Sequence, residues 1–413
     1  MTTASDPDRR IIVLGGDGYL GWPTAMHFAT RGWTVCAVDN YSRREIASAN
    51  NASSLFDNPK LPERCNALRR VTNSNVVSVE LDVNDYCALS QIVREFRPTA
   101  LLHFAEQPSA PYSMWTYETA RFTLNNNINT TFNAIWAILQ EAPDCHLIKL
   151  GTMGEYGTPN IDIEEGWIDI HHRGRSERFL FPRQGPSLYH TTKIMDTDLI
   201  HFYCRHCGLR ATDLMQGPVY GIHTEETRLS DQLLTNFHYD DIFGTVLNRF
   251  VVQAVVGIPL TVYGEGRQVR GFLNLIDSLR CIEIAALETP KAGQLCVANQ
   301  FTQTFAILDL AARVVDAADF LGIRATIDHL PNPRMEQADH YYNPTHRHFV
   351  DRGLVPNLLT RETLVDMLKV VSENRSRIDT SRFYPRISWN RRAPGHQRCE
   401  ARPAAMDEER RTA

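Results

Sequence analysis

No apolar stretch of this 413-residue chain approaches a membrane span, which takes about 20 consecutive predominantly apolar residues. The polar opening, Met1 to Arg10, has no apolar core of the kind a secretory leader carries. Basic charge is not in excess either: 43 Lys and Arg stand against 48 Asp and Glu, for a formal net charge of −5. That leaves no electrostatic footprint for nucleic acid. The nine cysteines are odd in number and scattered, several inside apolar segments (Cys36, Cys281, Cys296), which speaks against a disulfide framework and for reduced thiols. The lone C-x-x-C, Cys204 with Cys207, has no second ligand pair at metal spacing, so no metal site is expected. The expectation is a cytoplasmic protein without a nucleic-acid or membrane partner, and no internal repeat is visible.

What the chain does contain is alternation of strand and helix patterns. Ile11-Ile12-Val13-Leu14 reads as a buried strand, followed by a helix from about Pro23 to Arg31 and a second strand, Thr34 to Val38. Further strands are expected over Asn75–Leu81, Ala100–Phe104, His146–Leu150 and Leu209–Leu214, with helices over Tyr86–Glu95 and Thr123–Gln140 between them. This is the order of an α/β protein with a doubly wound parallel sheet. Residues 1–9 read as a flexible start and 10–215 as a cofactor-binding half. Beyond Gln216 the pattern loosens into a polar stretch (Tyr220–Tyr239), a helix (Phe243–Val256) and a strand (Leu260–Tyr263). Residues 216–389 therefore read as a smaller α/β lobe for the substrate, interleaved with strands that return to the main sheet. Residues 390–413 read as a charged, flexible tail.

Two motifs carry chemistry. Gly15, Gly18 and Gly21 follow the first strand and open a helix, a G-x-x-G-x-x-G variant of the turn whose amides meet a pyrophosphate. Asp39 ends the second strand, eighteen positions past Gly21. A carboxylate there accepts both ribose hydroxyls and repels a 2′-phosphate, so NAD is expected; Arg43 and Arg44 nearby leave NADP open. Asp82, at the end of the third strand, suits an adenine amino group. The second motif is Tyr189 with Lys193. On a helix the two share a face, and an ammonium beside a phenol lowers its pKa toward that of a general base. Gly151 to Gly157 leave the strand ending at Leu150 on the side where open sheets of this type bind ligands.

Together with Glu106-Gln107, Ser109 to Met114, Leu150 to Glu165, Phe243 to Phe250 and Pro331 to Asn343, these motifs identify a resemblance. The chain resembles the extended short-chain dehydrogenase/reductases that modify nucleotide sugars, and within them the UDP-sulfoquinovose synthase subfamily, over roughly residues 10 to 390. The resemblance implies a Rossmann domain holding NAD tightly through Gly15, Asp17, Gly18, Tyr19, Leu20, Gly21, Asp39, Asn40, Arg43, Asp82, Val83, Phe104, Asn127, Lys193 and Gln216. It implies UDP-glucose and sulfite, or a sulfite-donating protein, as partners, with Gln107, Ser109, Tyr112, Thr152, Gln216, Arg249, Arg270 and Arg334 toward substrate. A homodimer joined through two helices, one bearing the tyrosine, is also implied.

In the reaction so implied, Tyr189 takes the proton of the C4′ hydroxyl, Lys193 assists, and Thr152 bonds the C4′ oxygen. Dehydratases similar to this chain place an Asp-Glu pair after the threonine, where this chain has Met153 and Gly154. A thioether carries no proton, so Glu155 and His190 stand as alternative proton carriers. Pro108 replaces an Arg of the plant members near the expected sulfite position. A UDP-sugar 4-epimerase or 4,6-dehydratase, or a nucleotide-binding regulator on an inactive scaffold, are the rival readings.

Overall fold

Strand β1 (Arg10–Leu14) is apolar on both faces because it lies at the centre of the sheet. Ile11 and Val13 enter one core and Ile12 and Leu14 the other, the period of two expected of a strand covered on both sides. The computed structural model describes residues 9–334, 341–386 and 389; the tail from 390 and the start up to residue 8 lie outside the described residues.

From β1 the chain runs through α1 (Gly21–Thr30), β2 (Thr34–Asp39), α2 (Ser42–Ala49), α3 (Leu61–Thr72), β3 (Val76–Glu80), α4 (Tyr86–Phe96), β4 (Ala100–His103), α5 (Ala110–Ser113), α6 (Tyr117–Glu141) and β5 (His146–Thr152). A hairpin, β6 (Trp167–His172) and β7 (Arg175–Leu180), precedes α7 (Leu188–Cys207) and β8 (Arg210–Gln216). Then come β9 (Val219–Tyr220), α8 (Val246–Val256), β10 (Leu260–Tyr263), β11 (Val269–Asn274), α9 (Leu275–Leu287) and β12 (Leu295–Gln300). The last elements are β13 (Gln303–Ala306), α10 (Ile307–Phe320), β14 (Ile327–Leu330) and α11 (Arg361–Glu373).

Seven parallel strands, in the order β12-β8-β5-β4-β1-β2-β3, form the main sheet. The fold is the doubly wound Rossmann type. Chain order reverses between β1 and β4, which opens a crevice at the carboxyl ends of these strands. β12 comes back from the lobe to pair with β8 and close the sheet. Elsewhere the lobe packs α8, α10 and α11 around Phe250, Leu310 and Leu368, against the small sheets β10-β14 and β13-β11-β9.

Local chemistry sets the helix ends. α6 begins at Tyr117, ahead of the expected Thr123, because Thr116 and Thr119 form a reciprocal capping box. α8 begins at Val246, later than the expected Phe243, because the Asp240 carboxylate accepts the amides of Ile242 and Phe243 and holds a turn there. Ser187 caps α7 by accepting the His190 amide, and Gly208, at φ +77°, ends it.

Candidate active site

A cavity of about 980 Å³ occupies the crevice, with the carboxyl ends of the strands on one side and the lobe on the other. Gly15 needs its missing side chain: its φ is +84°, and a Cβ would lie 2.8 Å from the Phe104 carbonyl. The turn therefore nests against the segment leaving β4, at the switch point. Tyr19, Leu20, Gly21 and Asn40 line the same wall.

Asp17 does a different job from the one expected. Arg44 forks onto its carboxylate at 2.6 and 2.7 Å, and Arg64 reaches it at 3.2 Å. The side chain braces the glycine turn, and Arg44 is thereby occupied. Asp39 accepts the amides of Asp17 and Tyr41, at 2.9 and 2.7 Å. Burial, then the neighbouring Asp17, push its pKa up to about 6. Arg43 lines the cavity and stacks over Phe243, 5.0 Å from the ring centre. Asp82, Val83 and Phe104 continue the wall, the Asp82 carboxylate accepting from Asn84. A glycine cradle closed to any Cβ, followed by a carboxylate at the end of β2, fits a dinucleotide with an unphosphorylated ribose.

Asn127 is not on the wall. It is fully buried, accepting the Gln107 amide and donating to the Gln107 carbonyl and to Thr192 on α7. Gln107 is likewise consumed: its side chain donates to Ser109 O and Thr123 Oγ1 and accepts the Ser109 amide. Tyr112 packs edge-on against Trp115 and Phe122, away from the cavity. These three were expected as ligand contacts. They instead hold the loop after β4 in shape, and of that loop Ser109 does line the cavity, its hydroxyl donating to Ile242 O at 2.6 Å.

Thr152, Met153, Gly154, Tyr189 and His190 converge on one part of the wall. The Gly154 position and the His190 ring exclude each other's bulk: a Cβ on Gly154 would lie 2.3 Å from His190 Cδ2 and Nε2. His190 Nδ1 is fixed 2.7 Å from Ser187 Oγ. Burial, then Arg334 and Arg270, depress its pKa to about 3, so the imidazole is neutral at pH 7. Met153 is almost fully buried and contributes shape alone.

Glu155 leaves the set of proton carriers. It is fully buried and points beneath the site, where Lys149 (3.4 Å) and Arg183 (3.0 Å) pair with it and the Thr152 amide donates to it. Lys149, also fully buried, donates to Lys193 O and to Thr197, and lies 3.6 Å from Asp213. One hydrogen-bonded ionic knot thus ties Thr152 on β5 to the middle of α7. Lys193 sits behind the wall, donating to Leu150 O at 2.6 Å and pairing with Glu106 at 2.7 Å. Its ammonium is 5.9 Å from the Tyr189 ring centre. The phenol's pKa is nonetheless raised, by burial first and then by Glu106.

The lobe contributes cations. Arg270 and Arg334 line the cavity, Arg334 stacked on Trp389. Arg249 also lines it, nearly buried, donating to Thr261 O and stacked on Tyr263 at 4.6 Å. Gln216 is held by Ser278 and Gln300, each at 2.8 Å. Three wall residues escaped the sequence reading: Glu106, Arg386 and Trp389. Arg386 grips Asp241 at 2.7 Å across the mouth. Glu106 lay in a quoted motif; the other two carry no local signal. Among the described residues no cluster of His, Cys, Asp and Glu could hold a metal; Cys204 is buried and Cys207 exposed.

Residues 11–297 match the NAD dependent epimerase/dehydratase family. The chain is 44% identical over 386 residues to a chloroplastic UDP-sulfoquinovose synthase of Spinacia oleracea, covering 93% of this chain and 80% of that protein. It is 38% identical over 385 residues to a UDP-sulfoquinovose synthase of Sulfolobus acidocaldarius, covering 92% and 98%. Among solved structures, the UDP-glucose 4-epimerase from Bifidobacterium longum in complex with NAD+ and UDP superposes with a TM-score of 0.68 at 17% identity, over 89% of this chain and all of that one. With its Rossmann sheet, glycine turn and Thr–Tyr–Lys constellation in place, the chain belongs to the NAD dependent epimerase/dehydratase family and, within it, to the UDP-sulfoquinovose synthases.

Proposed function

We propose that this protein converts UDP-glucose and sulfite into UDP-sulfoquinovose. The observation that carries the reading is the His190 imidazole packed into the space left by Gly154. A glycine at that position would be idle in a dehydratase that relies on an acidic side chain there; here it admits a neutral base beside the phenol.

NAD, the cofactor of the family, takes up a hydride from C4′ and returns it when bound. Gly15, Gly18, Gly21 and Asp39 would hold it, with Asp39 on the adenosine ribose. Tyr189 takes the proton of the C4′ hydroxyl, and the Thr152 hydroxyl orients that oxygen. The C4′ ketone makes the C5′ proton acidic. His190 Nε2 removes it and passes a proton to the departing C6′ hydroxyl, which leaves as water. Sulfite adds through sulfur to C6′, and His190 gives a proton back to C5′. Tyr189 finally returns its proton to the C4′ oxygen. Arg270 and Arg334 bind the diphosphate, and their charge is what keeps His190 unprotonated until an anion arrives. Arg249, Gln216 and Ser109 flank the sugar nucleotide.

Residues 10–215 would form the cofactor half and 216–389 the substrate lobe. Sulfite would arrive free or from a donor protein. The exposed apolar side chains Phe132 on α6 and Met195 and Phe202 on α7 suit a homodimer interface. No helix among the described residues is long and apolar enough to cross a membrane, and the unbridged cysteines agree with a cytoplasmic setting.

Incubation with UDP-glucose in deuterium oxide, without sulfite, tests the histidine. The intact enzyme should exchange deuterium into C5′, His190→Asn should lose that exchange while still oxidising C4′, and Tyr189→Phe should lose both. Undiminished exchange in His190→Asn would remove His190 from the mechanism.

A further inference from the structure

Glu106 has no role in the scheme above, yet it lies on the cavity wall beside the reacting groups. Its side chain is 2% exposed, and Oε1 stands 2.7 Å from Lys193 Nζ. His103 Nε2 is farther, at 3.6 Å. Neither carboxylate oxygen has another aligned donor. The ammonium itself is set back from the cavity, so the carboxylate is interposed where an exposed cation would be expected.

An unbalanced buried ammonium stabilises a phenolate beside it. A carboxylate in contact with that ammonium turns a charge into a dipole, and most of the field at the phenol is cancelled. We infer that Glu106 is a positioning residue for Tyr189: by neutralising Lys193 it keeps the phenol protonated, so that the proton lifted from the C4′ oxygen stays on Tyr189 until that oxygen takes it back. The inference rests on the role given to Tyr189 above. That reaction separates removal and return of hydrogen at C4′ by bond changes at C5′ and C6′, and a phenol that shed its proton in the interval would stall the return.

The other groups around the phenol do not supply this balance. Lys149, beneath it on β5, is compensated by Glu155 and Asp213. Asp196, on α7, is fully buried with its pKa pushed well up by burial and then Glu106, which keeps it neutral. His190 is neutral, with Arg334 and Arg270 beyond it. His103, from β4, is held neutral by burial, its pKa lowered to about 4. Lys193 and Glu106 are the charges that decide.

Difference ultraviolet titration of the purified holoenzyme, intact against Tyr189→Phe, follows this one phenol without substrate. The intact protein should show no Tyr189 ionisation below about pH 10, the ordinary tyrosine value. Glu106→Gln should bring tyrosinate absorbance below that pH, and Glu106→Asp should restore the intact behaviour. Glu106→Gly, which leaves room for water around Lys193, carries the same expectation as Gln should the amide variant fail to fold. Identical Tyr189 titrations in the intact, Gln and Gly proteins overturn the inference. With UDP-glucose added, the pH optimum for C4′ oxidation should move at least about one unit to acid in Glu106→Gln, a tenfold gain below the optimum. If the intact enzyme leaves UDP-glucose untouched, the proposed function fails, while the substrate-free titration still decides the role of Glu106.

Discussion

At the scale of the residue, the site depends on which groups are charged and which are absent. Gly154 is a position where absence matters: Gly154→Ala puts a methyl group where the His190 ring lies. The ring must move, and turnover should fall by about 10² or more, the usual contribution of one acid–base group, with C4′ oxidation by Tyr189 reduced less. Separate assays of C5′ deuterium exchange and C4′ oxidation check this. Asp39 gives a pH dependence. Its folded pKa, about 6, lies above the ordinary carboxyl value because burial opposes the charge. The stability linked to that raised pKa is fully present below the unfolded value and is lost as pH rises through about 6. Cofactor binding has the opposite sign, since two ribose hydroxyls need an ionised acceptor. NAD affinity should therefore fall below pH 6, approaching tenfold per unit (about one proton linked to binding), and Asp39→Asn should bind weakly with a flat profile. Cofactor retained through gel filtration at pH 5 and pH 7.5 measures both.

At the scale of the element, α7 carries Tyr189, His190 and Lys193, and its first turn is held by Ser187. Ser187→Ala removes an N-cap, which costs about 1 kcal/mol, and also the partner of the His190 ring. Thr116→Ala removes the comparable cap of α6, far from the chemistry. Both variants should lose similar stability to denaturant, but only Ser187→Ala should lose activity and C5′ exchange. Equal activity in the two would detach the cap from the site. Elements differed in how readable they were from sequence. β1, β2 and β5 announce themselves because burial on both faces demands unbroken apolar runs. The β6–β7 hairpin was missed because His171, His172, Arg173 and Arg175 are all exposed, so no apolar alternation marks it. α2 was missed for a like reason: Ala47 is its one buried residue. Lys149 illustrates the limit at the site. In Ile-Lys-Leu it looks like an intruder in a strand, and nothing local tells that Glu155, Asp213 and the Lys193 carbonyl meet its ammonium. Thr152, Tyr189 and the glycine turn were legible because their spacing is set by chemistry within one element. Gln107, Tyr112 and Asn127 were misassigned because a loop's polar residues face either a ligand or the loop itself, and sequence alone does not distinguish these.

At the scale of the whole molecule, the crevice needs both halves. The main sheet offers the glycine turn and the Tyr189 helix, and the lobe offers Arg270, Arg334 and Arg249. Assembly into a dimer through α6 and α7 would rest on exposed Phe132, Met195 and Phe202. Phe132→Glu with Phe202→Glu should halve the mass in sedimentation while leaving the monomer folded; an unchanged mass would place the interface elsewhere. The central claim concerns the product. Purified enzyme is incubated with UDP-glucose, with and without sulfite, and the nucleotide sugars are identified by mass. A sulfonated sugar nucleotide formed only when sulfite is present is the predicted result. An isomer of unchanged mass, or a dehydrated sugar as the end product in the presence of sulfite, would contradict it.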